Sequence, residues 1–239
     1  MIATTNAIVL SKLKYKDNDL IVKCYTQEFG IVSYLLRGIL KSKKKGSKVA
    51  YYQLLTQLHL VTDYKQARGL QYVKEVKINH LYSSLHTNIL KSAIVLFLAE
   101  VLSTTLQEEE QNATLYNYLE TTLQWLDTND RYSNFHLLFL LNLTKHLGFY
   151  PDITDVNLPY FNLQAGEFQD MSSSKYCISG ENLTLLKTLL GTTFDALEEV
   201  KMNSKQRQSF LAIILLYFEL HLGSFKKPKS LQVFNDVFN

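Results

Sequence analysis

The spacing of hydrophobic and polar positions changes once along the chain. Up to about residue 80 it alternates. Across residues 19–26, Leu20, Val22 and Cys24 share one face while Ile21, Lys23 and Tyr25 share the other. A second run, 31–36, follows a Phe29-Gly30 break short enough for a hairpin turn. Residues 53–62 alternate most clearly, with Leu54, Leu58 and Leu60 opposite Gln53, Gln57 and His59. Runs at 7–15 and 69–78 bring the total to about five short strands, with one long polar interruption between the third and the fourth. That count predicts a small closed barrel such as the OB-fold, where closure removes exposed edges. It fits an SH3-like barrel as well.

Beyond Asn79 the spacing becomes helical. Ile89, Ile94, Phe97, Leu98, Val101 and Leu102 recur every three or four residues. Further helices are expected at about 111–127, 133–147 and 204–222. The one at 133–147 is apolar nearly all round, which places it centrally in a bundle, and Gly148 followed by Pro151 stops it. Residues 149–181 lack a helical period. An excursion is expected there, with a hairpin of 160–163 against 167–170 turning at Ala165-Gly166. The expected fold class is therefore α+β: an OB-fold-like β-barrel over 1–80, then an α-helical domain over 81–239 interrupted at about 149–181.

Charge sharpens this division. The 239 residues carry a formal charge of +3, but residues 1–80 hold 14 basic and 5 acidic side chains, while the remainder has a net charge of −6. The two cysteines, Cys24 and Cys177, exclude a disulfide scaffold and a four-cysteine zinc site. Residues 7–10 are too short an apolar run for a signal peptide, and the longest run, 210–218, falls well short of the roughly 20 residues of a membrane span. A soluble, cytoplasmic protein with no membrane partner is expected.

Catalytic signatures are missing. No glycine-rich phosphate loop or Gly-x-Ser-x-Gly elbow occurs, and no histidine lies three to five residues from another histidine or cysteine. Glu108-Glu109-Glu110 reads as a solvated helix end, since consecutive residues point in different directions. No catalytic residue, metal or cofactor is expected. What stands out is a run of six cations in twelve residues, Arg37, Lys41, Lys43, Lys44, Lys45 and Lys48, with no acid among them. Lys12 and Lys14 lie on the first strand, and Tyr34, Tyr51 and Tyr52 flank the run as candidate base-stacking rings. Cations supply sequence-independent phosphate affinity through counterion release, and aromatic faces add stacking. The combination points to single-stranded or backbone-directed nucleic-acid binding, without base-specific readout.

On particular motifs the chain resembles the RecO family of recombination mediators. These are Ala7-Ile8-Val9-Leu10, Asp19-Leu20-Ile21, Thr26-Gln27-Glu28-Phe29-Gly30, the Arg37-Gly38 basic loop, Leu147-Gly148-Phe149-Tyr150-Pro151, and Leu222-Gly223 with Lys227-Pro228-Lys229-Ser230. The resemblance implies a bacterial, nucleoid-associated DNA repair accessory protein that binds single- and double-stranded DNA and anneals complementary strands. It further implies that, with RecR, such a protein helps load RecA onto DNA coated by single-stranded DNA-binding protein (SSB), whose acidic, Phe-ended C-terminal tail docks on the helical domain. Many relatives carry a four-cysteine zinc site after the proline; residues 149–181 retain only Cys177, so the hairpin must be held by apolar residues such as Tyr160, Phe161 and Phe168. A reading from another class is a non-enzymatic protein–protein scaffold whose lysine loop serves only solubility.

Overall fold

The change of period near residue 80 reappears as a change from strands to helices in the computed structural model, which describes residues 1–41, 48–106 and 110–238. By backbone contacts the chain forms two compact units, Met1–Thr128 with Pro228–Ser230, and Asn129–Lys227 with Leu231–Asn239.

The first unit contains all five expected strands: β1 (Ile2–Tyr15), β2 (Asp19–Thr26), β3 (Gly30–Leu36), β4 (Gln57–Asp63) and β5 (Tyr72–His80). They pair antiparallel in the order β3-β2-β1-β4-β5. β1 begins five residues earlier than its apolar pattern, because residues 2–8 pair with β4 while residues 7–15 pair with β2. The expected closed barrel needs correcting: the ladders form an open sheet, and its edge strands are linked at one parallel bridge, Tyr34 to Gln71. There the Leu35 N–H donates to the Gln71 carbonyl (2.9 Å), and the Gln71 N–H donates to the Ser33 carbonyl (2.8 Å). From Tyr72 onward the chain turns to β4 instead. Alternation brings Val9, Leu20, Val22, Cys24, Val32, Leu36, Leu58 and Leu60 into one core. The turn before β3 is closed by Thr26, whose hydroxyl donates to the Gly30 carbonyl (2.9 Å) and accepts the Phe29 N–H (3.1 Å), with Gly30 at φ +60.

Two helices, α1 (Ile89–Thr105) and α2 (Ala113–Thr128), belong to this unit. They give the polar positions of the sheet their partners. Lys23 donates to the carbonyls of Ser103 (2.8 Å) and Leu106 (3.3 Å), a cation on the C-terminal end of α1. Gln57, expected on a polar face, is fully buried; its amide donates to the Glu120 carbonyl (2.8 Å) and its oxygen accepts from Gln124 (2.9 Å). β4 starts at Gln57 and not at Gln53 because Leu55 takes a left-handed φ of +58 in the preceding turn. On α1, Glu100 accepts from the N–H groups of Lys229 (2.8 Å) and Ser230 (2.9 Å) and from the Ser230 hydroxyl (2.7 Å), which gives the Lys-Pro-Lys-Ser motif a structural role.

The segment joining β5 to α1 is fixed by Asp127 near the end of α2. Its carboxylate accepts the N–H groups of Ser83 (2.9 Å), Ser84 (2.8 Å) and Leu85 (2.7 Å) and the Ser83 hydroxyl (3.0 Å). Lys91, 1% exposed, donates to the Ser84 hydroxyl (2.7 Å) and the Asp127 carbonyl (2.8 Å). Burial would raise the Asp127 pKa, but these donors outweigh it and hold the carboxyl at about 2.

In the second unit, α3 (Phe135–His146) is buried all round, as its composition demands. Past Gly148 (φ +82), Phe149 stacks on His221 at 5.1 Å and accepts from the Tyr217 hydroxyl (2.8 Å). The expected hairpin forms as β6 (Tyr160–Asn162) and β7 (Glu167–Gln169), with Phe161 and Phe168 edge to face at 4.9 Å and Gly166 at φ +75. A further strand, β8 (Cys177–Ile178), pairs with β6. α5 (Ser204–His221) was legible from its period; α4 (Gly180–Leu190) and α6 (Leu231–Val237), at 11 and 7 residues, are additions too short to impose one. On α3, His136 lies 1% exposed with its ring 4.8 Å from Phe234. Burial, and secondarily the charge of Arg207, pushes its pKa down to about 3.

Asp127→Ala leaves three N–H groups without their acceptor and should cost about 3 kcal/mol, read as a lower urea midpoint at unchanged m-value. An unchanged midpoint would show the carboxylate to be dispensable. Acid should act in two windows. As pH falls below 6.5 the unfolded chain protonates His136 first, so the folded state loses about 3 kcal/mol by pH 4. Asp127 contributes fully above its ordinary 3.8, and its contribution is lost as pH falls through that value toward 2. His136→Leu should flatten the stability curve between pH 6.5 and 4 only; an unchanged slope there would clear the histidine.

Candidate nucleic-acid interface

Arg37 follows directly on β3, and the loop it opens is anchored before it departs. The Gly38 N–H donates to Asp19 Oδ1 (2.7 Å) with Gly38 at φ +63, and the Leu40 N–H donates to the Asn18 carbonyl (3.0 Å). Arg37, Lys41 and Lys48 are exposed. Lys43, Lys44 and Lys45 lie outside the described residues. Lys12 and Lys14 are exposed on the end of β1 that pairs with β2 alone, opposite Val22 and Leu20.

Two clefts meet at Arg37. One, of about 450 Å³, brings Arg37 and Lys41 together with Lys16 of the β1–β2 turn, but Asp17 and Asp19 line it too. The other, of about 370 Å³, places Arg37, Lys48 and Lys74 around Leu36, Ile39, Tyr52 and Val76, with Tyr72 at its side. Arg37 donates to the Tyr72 hydroxyl (3.0 Å), its guanidinium 5.1 Å from the ring centre; the Arg68 guanidinium lies 4.9 Å from the same ring. Asp63 holds Arg68 through two contacts of 3.2 Å. The loop carrying Arg68 is tied by the Gln71 side chain, which donates to the carbonyls of Lys65 (2.9 Å) and Arg68 (2.6 Å).

Two of the three proposed stacking rings need correcting. Tyr34 and Tyr52 are 1% and 2% exposed, packed in the sheet core, where burial raises both phenol pKa values. Tyr34 shares the inward parity of Val32 and Leu36, so no base can reach its faces. Tyr51 is half-buried. The aromatic beside the cations is Tyr72, with Lys74 two positions on along β5, and neither was singled out from the sequence. A register shift in the β4–β5 ladder between Val73 and Glu75 breaks the alternation at Lys74, and no sequence pattern signals that this part of β5 lies beside the end of β3.

The described residues form a polycation-lined surface without a reactive constellation beside it. Cys24 is fully buried and its thiol pKa raised by that burial. Among the described residues no cluster of three His, Cys, Asp or Glu could hold a metal, and no helix is long and apolar enough to cross a membrane.

Comparison with known proteins agrees with these motifs from end to end. Residues 1–82 match the family model described as Recombination protein O N terminal, and residues 86–232 match Recombination protein O C terminal. The chain is 51% identical over 238 residues to DNA repair protein RecO of Christiangramia forsetii, with all of both chains covered. It is 42% identical to the protein of that name in Flavobacterium johnsoniae, over 98% of each chain, and 36% identical to the one in Bacteroides fragilis, over the full length of both. With both of its halves matched and its full-length relatives named for DNA repair, the chain belongs to the RecO family of DNA repair and recombination proteins.

Proposed function

We propose that this protein handles DNA without catalytic turnover: it grips single- and double-stranded DNA by the phosphates, anneals complementary strands, and with RecR helps load RecA onto SSB-coated DNA. The observation that carries the reading is the convergence of Arg37, Lys41, Lys48, Lys16 and Lys74 on two adjoining clefts. Cations spread over two strands' phosphates lower their mutual repulsion, and a grip that ignores base edges leaves them free to pair. The division of labour falls near residue 80, with DNA on residues 1–80 and protein partners on the acidic remainder. On this reading the protein works in the bacterial cytoplasm, on the nucleoid.

A receptor for the acidic, Phe-ended SSB tail needs cations beside apolar surface. In the second unit, a cleft of about 360 Å³ offers Arg131, Lys201 and Arg207 next to Leu197, Val200 and Met202. Arg131 is engaged by Glu198 at 2.7 Å, and Arg207 donates to the Met202 carbonyl (2.6 Å), which orients its guanidinium.

If the six loop cations contact phosphates, log K for single-stranded DNA should fall with log salt at a slope of about −4, from roughly 0.7 per contact. Replacing Lys43, Lys44 and Lys45 together with alanine should reduce that slope by about 2 and suppress annealing at unchanged thermal stability. A flat salt response would favour the protein-only scaffold. Arg207→Ala should weaken an SSB tail peptide by about tenfold in calorimetric titration; undiminished binding would move the receptor elsewhere.

A further inference from the structure

The two clefts at Arg37 differ in a way that phosphate binding alone does not use. The smaller one combines three cations with an apolar lining and, among the described residues, no carboxylate, whereas the larger has Asp17 and Asp19 among its walls. Leu36 belongs to the sheet core and Ile39 and Val76 pack against it, and at this cleft they also present apolar surface beside the cations. The chemistry that matches an apolar slot with a cationic rim is a nucleotide, its base in the slot and its phosphates on the rim. Resting on the DNA reading above, we infer that this cleft between the ends of β3 and β5 takes one unstacked nucleobase of a single strand, its flanking phosphates held by Arg37, Lys48 and Lys74.

Arg37 is pre-positioned for this by the Tyr72 hydroxyl, 3.0 Å from its guanidinium, so little side-chain freedom remains to be lost on binding. Tyr72 is itself held between residues of two loops, since Arg68 lies over its ring and is fixed by Asp63. A paired and stacked base cannot enter the slot unless it is first unpaired, which costs a few kcal/mol. Duplex DNA therefore meets only the rim, and single strands meet rim and slot together. The cleft thus gives the protein a preference for unpaired strands that requires no reading of sequence.

The test compares fluorescence anisotropy of a labelled oligo-dT with an abasic strand carrying the same number of phosphates, at one salt concentration. Base insertion should make oligo-dT bind at least tenfold more tightly. Equal, measurable affinities would overturn the base slot and leave the phosphate grip standing. Failure of both strands to bind would overturn the DNA reading beneath it. Val76→Phe keeps a strand-favouring side chain while filling the slot. It should abolish the dT advantage at unchanged salt slope; a retained advantage in the folded variant would place the base elsewhere. Lys74→Gln, a change at an exposed position, should lower the slope by about 0.7; an unchanged slope would remove Lys74 from the rim.

Discussion

Three consecutive backbone N–H groups, those of Ser83, Ser84 and Leu85, converge on the carboxylate of Asp127, and Lys91 closes the same node from α1. The node fixes the direction in which the chain leaves the sheet and enters α1. Once α1 is set, its C-terminal carbonyls stand where Lys23 of β2 can cap them, and α2 stands where its backbone can satisfy Gln57 of β4. Each of these is a polar group taken out of water, so each depends on the others being in register. The sheet is thereby held on its helix-covered face by polar contacts together with buried residues such as Ile8 and Tyr25, and on its inner face by close packing.

That division leaves the cations proposed to contact DNA at the sheet's rim. Arg37 stands at the end of β3 and Lys74 on β5, the two edge strands, which no ladder joins, and Lys48 lines the same cleft from the short helical turn Lys48–Tyr52. The opening in the sheet and the smaller cationic cleft are thus one feature: where the ladder stops, side chains and not backbone bonds line the gap. The bridge at Gln71 limits how far the edges can part, and its side chain also ties the loop that presents Arg68. A polyelectrolyte grip of the kind proposed would tolerate any sequence, which suits a family named for repair and recombination.

Strand positions and their inward faces were legible because the core is apolar and the period is two. Leu20, Val22 and Cys24 show this, and so do the helices whose pattern runs for three turns or more. Legibility failed where polar residues are buried through long-range partners. Gln57 reads as part of a polar face and Lys23 as a neighbour of Ile21 and Tyr25 with no partner in sight, yet their partners lie 63 and 80 or more residues away. It failed for Tyr34 and Tyr52 because proximity to lysines in sequence says nothing about which side of a strand a ring occupies. It failed for Lys74 because the meeting of β3 with β5 is a property of how the sheet curls. Several of the motifs do structural work: Thr26 closes a turn, Phe149 packs on His221, and Lys229 and Ser230 serve Glu100.

The Glu100 contact has a consequence for synthesis. Its donors are 129 and 130 positions farther along the chain. At about 5–20 residues per second, translation takes roughly 6–26 s to deliver them after Glu100 itself has been made. Throughout that interval the nascent first unit carries α1 with a carboxylate awaiting three donors, on a chain whose second unit is still emerging. The usual order, in which the leading unit is finished before the next begins, is not available here: the first unit can start folding early but is completed nearly last.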